Sequence, residues 1–476
     1  MSIELKKIDD NTWEIPQTGK MLVPGRVFAN ESLIDFIKKS NDRALEQVRN
    51  MAFLPGIQKY SIGLPDIHQG YGFSIGGVAA LDGEEGGVSP GGVGYDINCG
   101  VRLLRTDLFF DDLKESGVKK LTDMLFQSVP AGVGMGNANI SPGQLDEILT
   151  NGSKWAVENG YGRKEDLLHT EDHGQLEGDA SKVSNKAKTR GRPQVGSLGA
   201  GNHFMEIQVV DDVFDPNVAK VFGLEKNQIT IMIHTGSRGL GHQVATDYLR
   251  KMDREFKELV DQLPDRQLLY APIKTPLAEE YILAMNAAAN FAFVNRQMIM
   301  NDVREAFHAL FPDSRLDMIY DLCHNIAKKE VHKIDNEERA VWVHRKGATR
   351  SIPKGHPLVP EAYKSVGQPV LLPGSMGTHS YVLVGTEGAL EKTFGSTAHG
   401  AGRTMSRSKA IKKYRGKDIQ KELGQQKIYI RGHSLKGLAE EAPLAYKDID
   451  EVVEVSHQSG IGSKVVRLTP LGVIKG

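Results

Sequence analysis

Apolar positions recur along this chain in two rhythms. Over 31–53 the residues Leu33, Ile34, Phe36 and Ile37, then Ala44, Leu45, Val48 and Met51, keep helical spacing, and Pro55-Gly56 ends the run. A longer helical stripe over about 277–311 runs through Tyr281, Met285, Ala288, Ala292, Met298, Val303, Phe307 and Leu310 and reads as core packing. Residues 111–165 read as helices with loops, and 241–263 adds more helix, so a helical region covers about 241–312. The second rhythm is that of strands. Residues 75–81 form a continuous apolar run, 101–110 and 340–344 alternate, and 228–233 leads up to His234. Short strands are also expected in 1–30, from 204 to 210, over 381–385 and across 450–476.

Glycine-punctuated stretches with polar side chains separate these elements at 63–73, 89–102, 196–207, 372–380 and 396–403, and they read as loops. Residues 166–194 carry few large apolar groups and read as a mobile surface segment. Its Lys182, Lys186, Lys188, Arg190 and Arg192 fit either a solvated charge run or a set of phosphate contacts. The whole pattern predicts an α+β fold in a single large domain, 1–476. Central β-sheets carry helices packed outside, and the active site lies in glycine-rich loops at strand ends.

Composition narrows the function classes. The 476 residues include 51 glycines, above the usual share of about 7%. A formal net charge of −1 provides no global field for nucleic acid, so any polyanion site must be a local patch. Two cysteines, Cys99 and Cys323, are too few for a disulfide framework. The first residues lack the apolar core of a signal peptide, and no apolar run is long enough to span a membrane. A reducing cytoplasm is the expected compartment.

Candidate chemistry gathers in the loops. The stretch 89–102 places Asp96 and Cys99 on one tight turn, a beginning for a metal site that needs further ligands. Of 15 histidines, His203, His234, His324 and His399 sit beside glycine or asparagine or end an expected strand. Thiolate with imidazole suits borderline-soft ions, and a carboxylate admits manganese or iron. The chain has no CxxC, no HExxH, no Walker loop and no dinucleotide fingerprint. Gly87-Val88-Ser89-Pro90-Gly91 matches GxSxG in letters only, because Pro90 has no N–H for an oxyanion hole. The loops at Gly199, Gly374 and Gly400 can act as turns or present N–H groups to phosphate.

Five stretches in order, 94–102, 201–206, 234–239, 323–325 and 399–403, closely resemble motifs of the RtcB family of RNA-splicing ligases, and the resemblance runs from about residue 20 to Lys475-Gly476. Ser74 stands where that family favours proline, and His379 where a small residue is usual. The resemblance implies the RtcB-like fold and a GTP- and Mn²⁺-dependent ligase. Such an enzyme joins an RNA 3′-phosphate or 2′,3′-cyclic phosphate to a 5′-hydroxyl, in tRNA splicing and RNA repair. It implies two Mn²⁺ ions bridged by Cys99, with Asp96 and His203 on one and His234 and His324 on the other. His399 becomes the nucleophile that carries GMP before an RNA-guanylate end forms. The nucleotide pocket comprises Asn202, His203, Phe204, Met205, Glu206, His324, Asn325, Pro373, Gly374, Ser375, Met376, Ser380, His399, Gly400, Ala401, Gly402 and Lys475, with Glu206 accepting from guanine. Lys475, taken alone as a terminal lysine, is expected in solvent. Arg190, Arg238 and Arg403 are the expected RNA contacts, with the 407–417 basic run as their extension or as a solvated helix face. The implied partners are tRNA halves or broken RNA ends and, as an activating protein, archease. Two other readings stand beside this one. A dinuclear metal phosphoesterase would act on RNA ends without ligation, needing neither His399 nor a guanine pocket. A non-catalytic RNA-binding protein would need no tight metal.

Overall fold

The computed structural model describes residues 3–40, 42–132, 136 and 139–476. It opens on strands Lys6–Asp9 (β1), Thr12–Ile15 (β2) and Gly25–Phe28 (β3). The helix expected over 31–53 is two helices, Glu31–Lys39 (α1) and Ala44–Met51 (α2). Asn30 caps the first by accepting from the Leu33 N–H, and the Ser40 N–H closes it on the Phe36 carbonyl. Their apolar residues enter one core cluster, which is why the periodicity reads as continuous.

Strands Ile57–His68 (β4), Ile75–Asp82 (β5) and Gly100–Phe109 (β6) follow, then helices Phe110–Ser128 (α3) and Asn185–Gly191 (α4). Strands Phe204–Val213 (β7) and Gln228–Thr235 (β8) precede two helices, Arg238–Glu255 (α5) and the long Pro276–Leu310 (α6). Thr275 caps α6 and Pro276 starts it, where a missing N–H costs nothing. The remainder includes strands Leu316–Cys323 (β9), Asn325–Ile334 (β10), Glu337–Lys346 (β11), Pro369–Leu372 (β12), Ser380–Val384 (β13) and Tyr429–Gly432 (β14), helix Ile449–Gln458 (α7) and strand Ser463–Lys475 (β15), with shorter helices and strands between them.

One seven-stranded sheet runs β1-β2-β3-β4-β5-β11-β10. An eight-stranded sheet runs β9-β6-β8-β7-β15-β13-β12, with β14 alongside β15 in parallel. The chain passes from the second sheet to the first between Cys323 and Asn325, so His324 is the junction residue. Helix α6 is buried along most of its length and shares one core cluster with residues of α5 and α4. No helix among the described residues is long and apolar enough to cross a membrane.

Three expectations need correction. The stretch 63–73 is not a loop throughout, because β4 continues to His68. Gly63 and Pro65 are tolerated there because the ladder with β5 shifts register between Gly63 and His68. Residues 450–476 form a helix and one long strand rather than several strands. The segment 166–194 is folded into short helices and is held by buried ion pairs at its start and by Val183 and Ala187 in the core cluster further on. Asp166 accepts both guanidinium nitrogens of Arg304 at 2.7 Å, and Glu171 and Asp172 accept from Lys328 and Arg350. Part of the loop expected within 111–165, at 133–135 and 137–138, lies outside the described residues.

Candidate metal and nucleotide site

The Asp96–Cys99 turn is pinned where the sheets meet. The Asn98 N–H donates to the Asn325 carbonyl at 2.7 Å, and the His324 N–H donates to the Cys99 carbonyl at 2.9 Å. Gly100 then starts β6 so close to β9 that a Cβ would lie 2.1 Å from the Leu322 carbonyl oxygen. Close approach, not a positive φ, demands glycine at that position; the left-handed residues of the turn are Gly94 and Asn98. Arg296 of α6 reaches up from the core. Its Nη1 donates to the carbonyls of Asn98 (2.8 Å) and Thr235 (3.0 Å), and its Nε and Nη2 bind Asp321. One buried guanidinium thus ties together the segments that carry Cys99, His234 and His324.

Two triads form above it, Asp96–Cys99–His203 and Cys99–His234–His324, and within each the ligand atoms lie within 4.8 Å of one another. Cys99 Sγ is 3.5 Å from His203 Nε2 and 3.4 Å from His234 Nε2. His234 Nε2 is 3.3 Å from His324 Nε2, and His203 Nε2 is 2.7 Å from Asp96 Oδ2. Burial, reinforced by the neighbouring imidazoles, holds His234 and His324 well below the usual histidine range, so both stay neutral, the form that ligates. Burial and then the Asp96 carboxylate push the Cys99 thiol well up. Soft and borderline donors crowded this closely, with a thiol that needs a cation to ionise, fit a pair of divalent ions sharing one sulfur.

His399 follows the short strand Ser396–Ala398 and faces the same cavity. Its backbone N–H and its Nδ1 both meet Asp66 Oδ2, at 2.9 and 2.5 Å. Burial opposes ionisation of Asp66, but the His399 ring and Lys447 outweigh it and hold the carboxyl below its usual range. A carboxylate only accepts, so Nδ1 is the donor in this pair, and Nε2 is the nitrogen left facing the cavity. The His399 ring lies 4.9 Å, centroid to centroid, from that of His324. Asp66 was not singled out in the sequence, because β4 is buried on both faces around it and its glycine and proline neighbours imitate a loop. The available signal was a lone acid between Pro65 and Ile67 in that stretch.

A cavity of about 810 Å³ brings most of the expected residues together. Asp96, His203, His234, His324 and His399 line it with Asn202, Phe204, Asn325, Pro373, Gly374, Ser375, Met376, Gly400, Ala401, Gly402 and Lys475. Cys99 is buried. Three expected pocket residues do not line the cavity. Met205 points into the core on the opposite face of β7, as strand alternation requires. Ser380 is buried and accepts the Gly374 N–H at 3.1 Å and the Gln208 amide at 3.2 Å, so it holds the 373–376 turn. Glu206 is buried one strand repeat beyond Phe204, with Oε1 unpartnered. Burial raises its carboxyl to about 8 against the opposing pull of the Gln208 amide and Lys475.

Lys475 is buried, not solvated as a chain end would be. It ends β15 opposite Phe204, and its Nζ donates to the carbonyls of Gly201 (2.8 Å) and His203 (3.3 Å). Of the expected RNA contacts, Arg190 and Arg238 line the cavity with open donors, Arg238 giving bonds to the Gly132 carbonyl at 3.0 Å and to Ser197 Oγ at 3.4 Å, and Arg190 one to Gln243. Arg403 also lines it, but its guanidinium is occupied by Glu441, Tyr446 and the carbonyls of Met405 and Glu440. Arg407, at the rim beside Asn202, has a half-exposed side chain. Ser74 is buried away from the cavity, and His379 turns to Asp450 at 3.1 Å, so neither departure touches the site.

The model of the family described as tRNA-splicing ligase RtcB matches residues 47–476. A tRNA-splicing ligase RtcB of Thermococcus kodakarensis is 54% identical over 481 residues, covering 100% of this chain and 99% of that protein. That of Pyrobaculum aerophilum is 52% identical over 485 residues, covering 100% of both, and that of Archaeoglobus fulgidus 53% identical over 480 residues, covering 99% of both. With the match spanning both sheets and every cavity loop, the chain belongs to the RtcB family of tRNA-splicing ligases.

Proposed function

We propose that this enzyme is a GTP- and Mn²⁺-dependent RNA ligase, joining 3′-phosphate or 2′,3′-cyclic phosphate ends to 5′-hydroxyl ends in the cytoplasm, in tRNA splicing and RNA repair. The observation that carries the reading is His399, whose Nδ1 is held by buried Asp66 while its ring faces the cavity of the two triads. A hydrolase could use the same Asp–His pair as a general base, so a covalent guanylate on His399 is what separates the two readings.

Asp96 and His203 would hold one Mn²⁺, His234 and His324 the other, and Cys99 both. When bound, the ions would offset the charge that develops on phosphate oxygens. His399 Nε2 attacks the α-phosphorus of GTP, and pyrophosphate leaves. Asp66 holds the proton on Nδ1 and stabilises the charge that the ring gains, so no proton need leave Nε2. The GMP then passes from His399 to the RNA 3′-phosphate, and the 5′-hydroxyl attacks that activated end and expels GMP. The turns at 373–376 and 400–402 would present backbone groups to the nucleotide, with Lys475 on the same cavity wall. Glu206, buried behind that wall beside Phe204 with Oε1 unpartnered, would accept from guanine only once side chains over it move aside. Arg190 and Arg238 position RNA phosphates without reading sequence. Archease is the proposed activating partner, and tRNA halves or broken RNA are the substrates.

The deciding experiment incubates the protein with α-labelled GTP and Mn²⁺. Covalent label that disappears in His399→Ala supports ligation. Absence of label with manganese, magnesium or zinc would sink it.

A further inference from the structure

A second cleft, about 580 Å³, lies on the surface where α4 and α5 meet α6. The two shorter helices run antiparallel: Gly191 packs on Leu240 at the cavity end, and Ser184 meets Asp247 at the cleft end. A hydrogen-bond chain follows the floor between the two openings. Arg190 Nη1 donates to Gln243 at 2.8 Å, Gln243 to Asp247 at 2.7 Å, and Ser184 to the other Asp247 oxygen at 2.6 Å. Above that floor the exposed side chains keep helical register. Lys186 and Arg190 sit one turn apart on α4, and His242, Thr246, Arg250 and Arg254 recur every four residues on α5. No acidic residue stands in this stripe.

The charge in the cleft is not self-neutralised. Glu280 pairs with Lys182 and Lys251, and Asp247 is satisfied by Ser184 and Gln243. Lys186, Arg250 and Arg254 make no ion pair or side-chain hydrogen bond with any described residue. From Arg238 at the cavity to Arg254 in the cleft, α5 spans about 24 Å at 1.5 Å per residue.

We propose that the groove between α4 and α5 is a binding track for the phosphodiester backbone of single-stranded RNA, which leaves the catalytic cavity past Arg190 and Arg238 and ends on Lys186, Arg250 and Arg254. The inference rests on the ligase reading for its direction but not for its test, which is a binding measurement. Spaced cations without aromatic shelves position a strand and read no sequence. The triple variant Lys186→Ala/Arg250→Ala/Arg254→Ala removes only exposed side chains, so the fold should survive it, and unchanged thermal unfolding verifies this.

The experiment measures equilibrium binding of single-stranded RNA of about four and about twelve nucleotides to the full chain, with Mn²⁺ and across a salt series. The triple variant should bind the longer RNA about tenfold more weakly, with the short RNA unchanged. Its log-affinity slope against log salt should fall by about two, three charges at about 0.7 each. Wild-type affinity of the variant for the longer RNA would overturn the track, as would equal weakening of short and long RNA. Guanylate labelling runs in parallel: its failure with binding intact refutes the ligase reading and leaves the track standing.

Discussion

A histidine attacks phosphorus well only when one ring nitrogen presents a lone pair and the other can share the charge it gains. Asp66 meets both needs at His399 with one oxygen. Asp66→Asn keeps the shape but can also turn its amide toward Nδ1 and favour the wrong tautomer. It should slow guanylate formation by roughly 10²- to 10⁴-fold while bound manganese is unchanged, since Asp66 touches no metal ligand. Labelling rates and elemental analysis check the two halves; loss of metal together with activity would move Asp66 into the metal site. Glu206 makes a pH prediction. A carboxyl raised to about 8 is protonated at neutral pH, whereas on the proposed reading guanine N1–H and its 2-amino group would reach Glu206 and need a carboxylate acceptor. GTP affinity should therefore rise about tenfold per unit as pH climbs toward 8 and level off above it. In Glu206→Gln the slope should vanish and the preference for GTP over ATP should shrink, as measured by calorimetric titration. Residue types and their glycine neighbours marked Asp96, Cys99 and the four histidines as candidates, and their separate roles came only from the family resemblance. Asp66 was not legible because its partner lies 333 positions away and nothing local marks the pairing.

Among the elements, α6 looked like plain core and proves to be a clamp. Its stripe of apolar residues was legible because helix packing writes itself in the period of the sequence. Arg296 breaks that stripe, and the reason is visible only in three dimensions, where it bonds Asn98, Thr235 and Asp321 at once. Arg296→Met leaves the Asp321 charge sharing only Arg102 and frees three ligand-bearing segments. It should cost about 3–5 kcal/mol and lower manganese content before the helix signal melts. Chemical denaturation followed by circular dichroism, with metal analysis on the folded fraction, tests this; an unaltered metal content would limit Arg296 to packing. Gly100→Val attacks the same turn from the opposite side, since its branched side chain would drive β6 off the Leu322 carbonyl. Segment 166–194 was misread for a related reason. Buried ion pairs such as Asp166–Arg304 bring polar residues inside, and a hydropathy pattern counts them as surface.

At the scale of the molecule, both sheets mix early and late chain: β5 pairs with β11, and β7 pairs with β15. The α+β class was legible from the alternation of periods, but these pairings were not, because no local signal encodes which strands far apart in sequence meet. The triads lie on that closure. Asp96, Cys99, His203 and His234 come from turns and ends of the eight-stranded sheet, while His324 sits at the crossing into the other. Ions bound there would hold four distant segments together and find nothing comparable in the unfolded chain, so metal should stabilise the whole fold. Manganese at about 100 times its Kd should add about 2.7 kcal/mol. The shared sulfur makes the variants unequal. Cys99→Ala removes a ligand from both triads and should abolish the thermal shift and nearly all bound metal. His203→Ala damages only the triad with Asp96 and should keep about half of the metal and part of the shift. Equal losses in the two variants would mean one mononuclear site, and the bridging role of Cys99 would then be wrong.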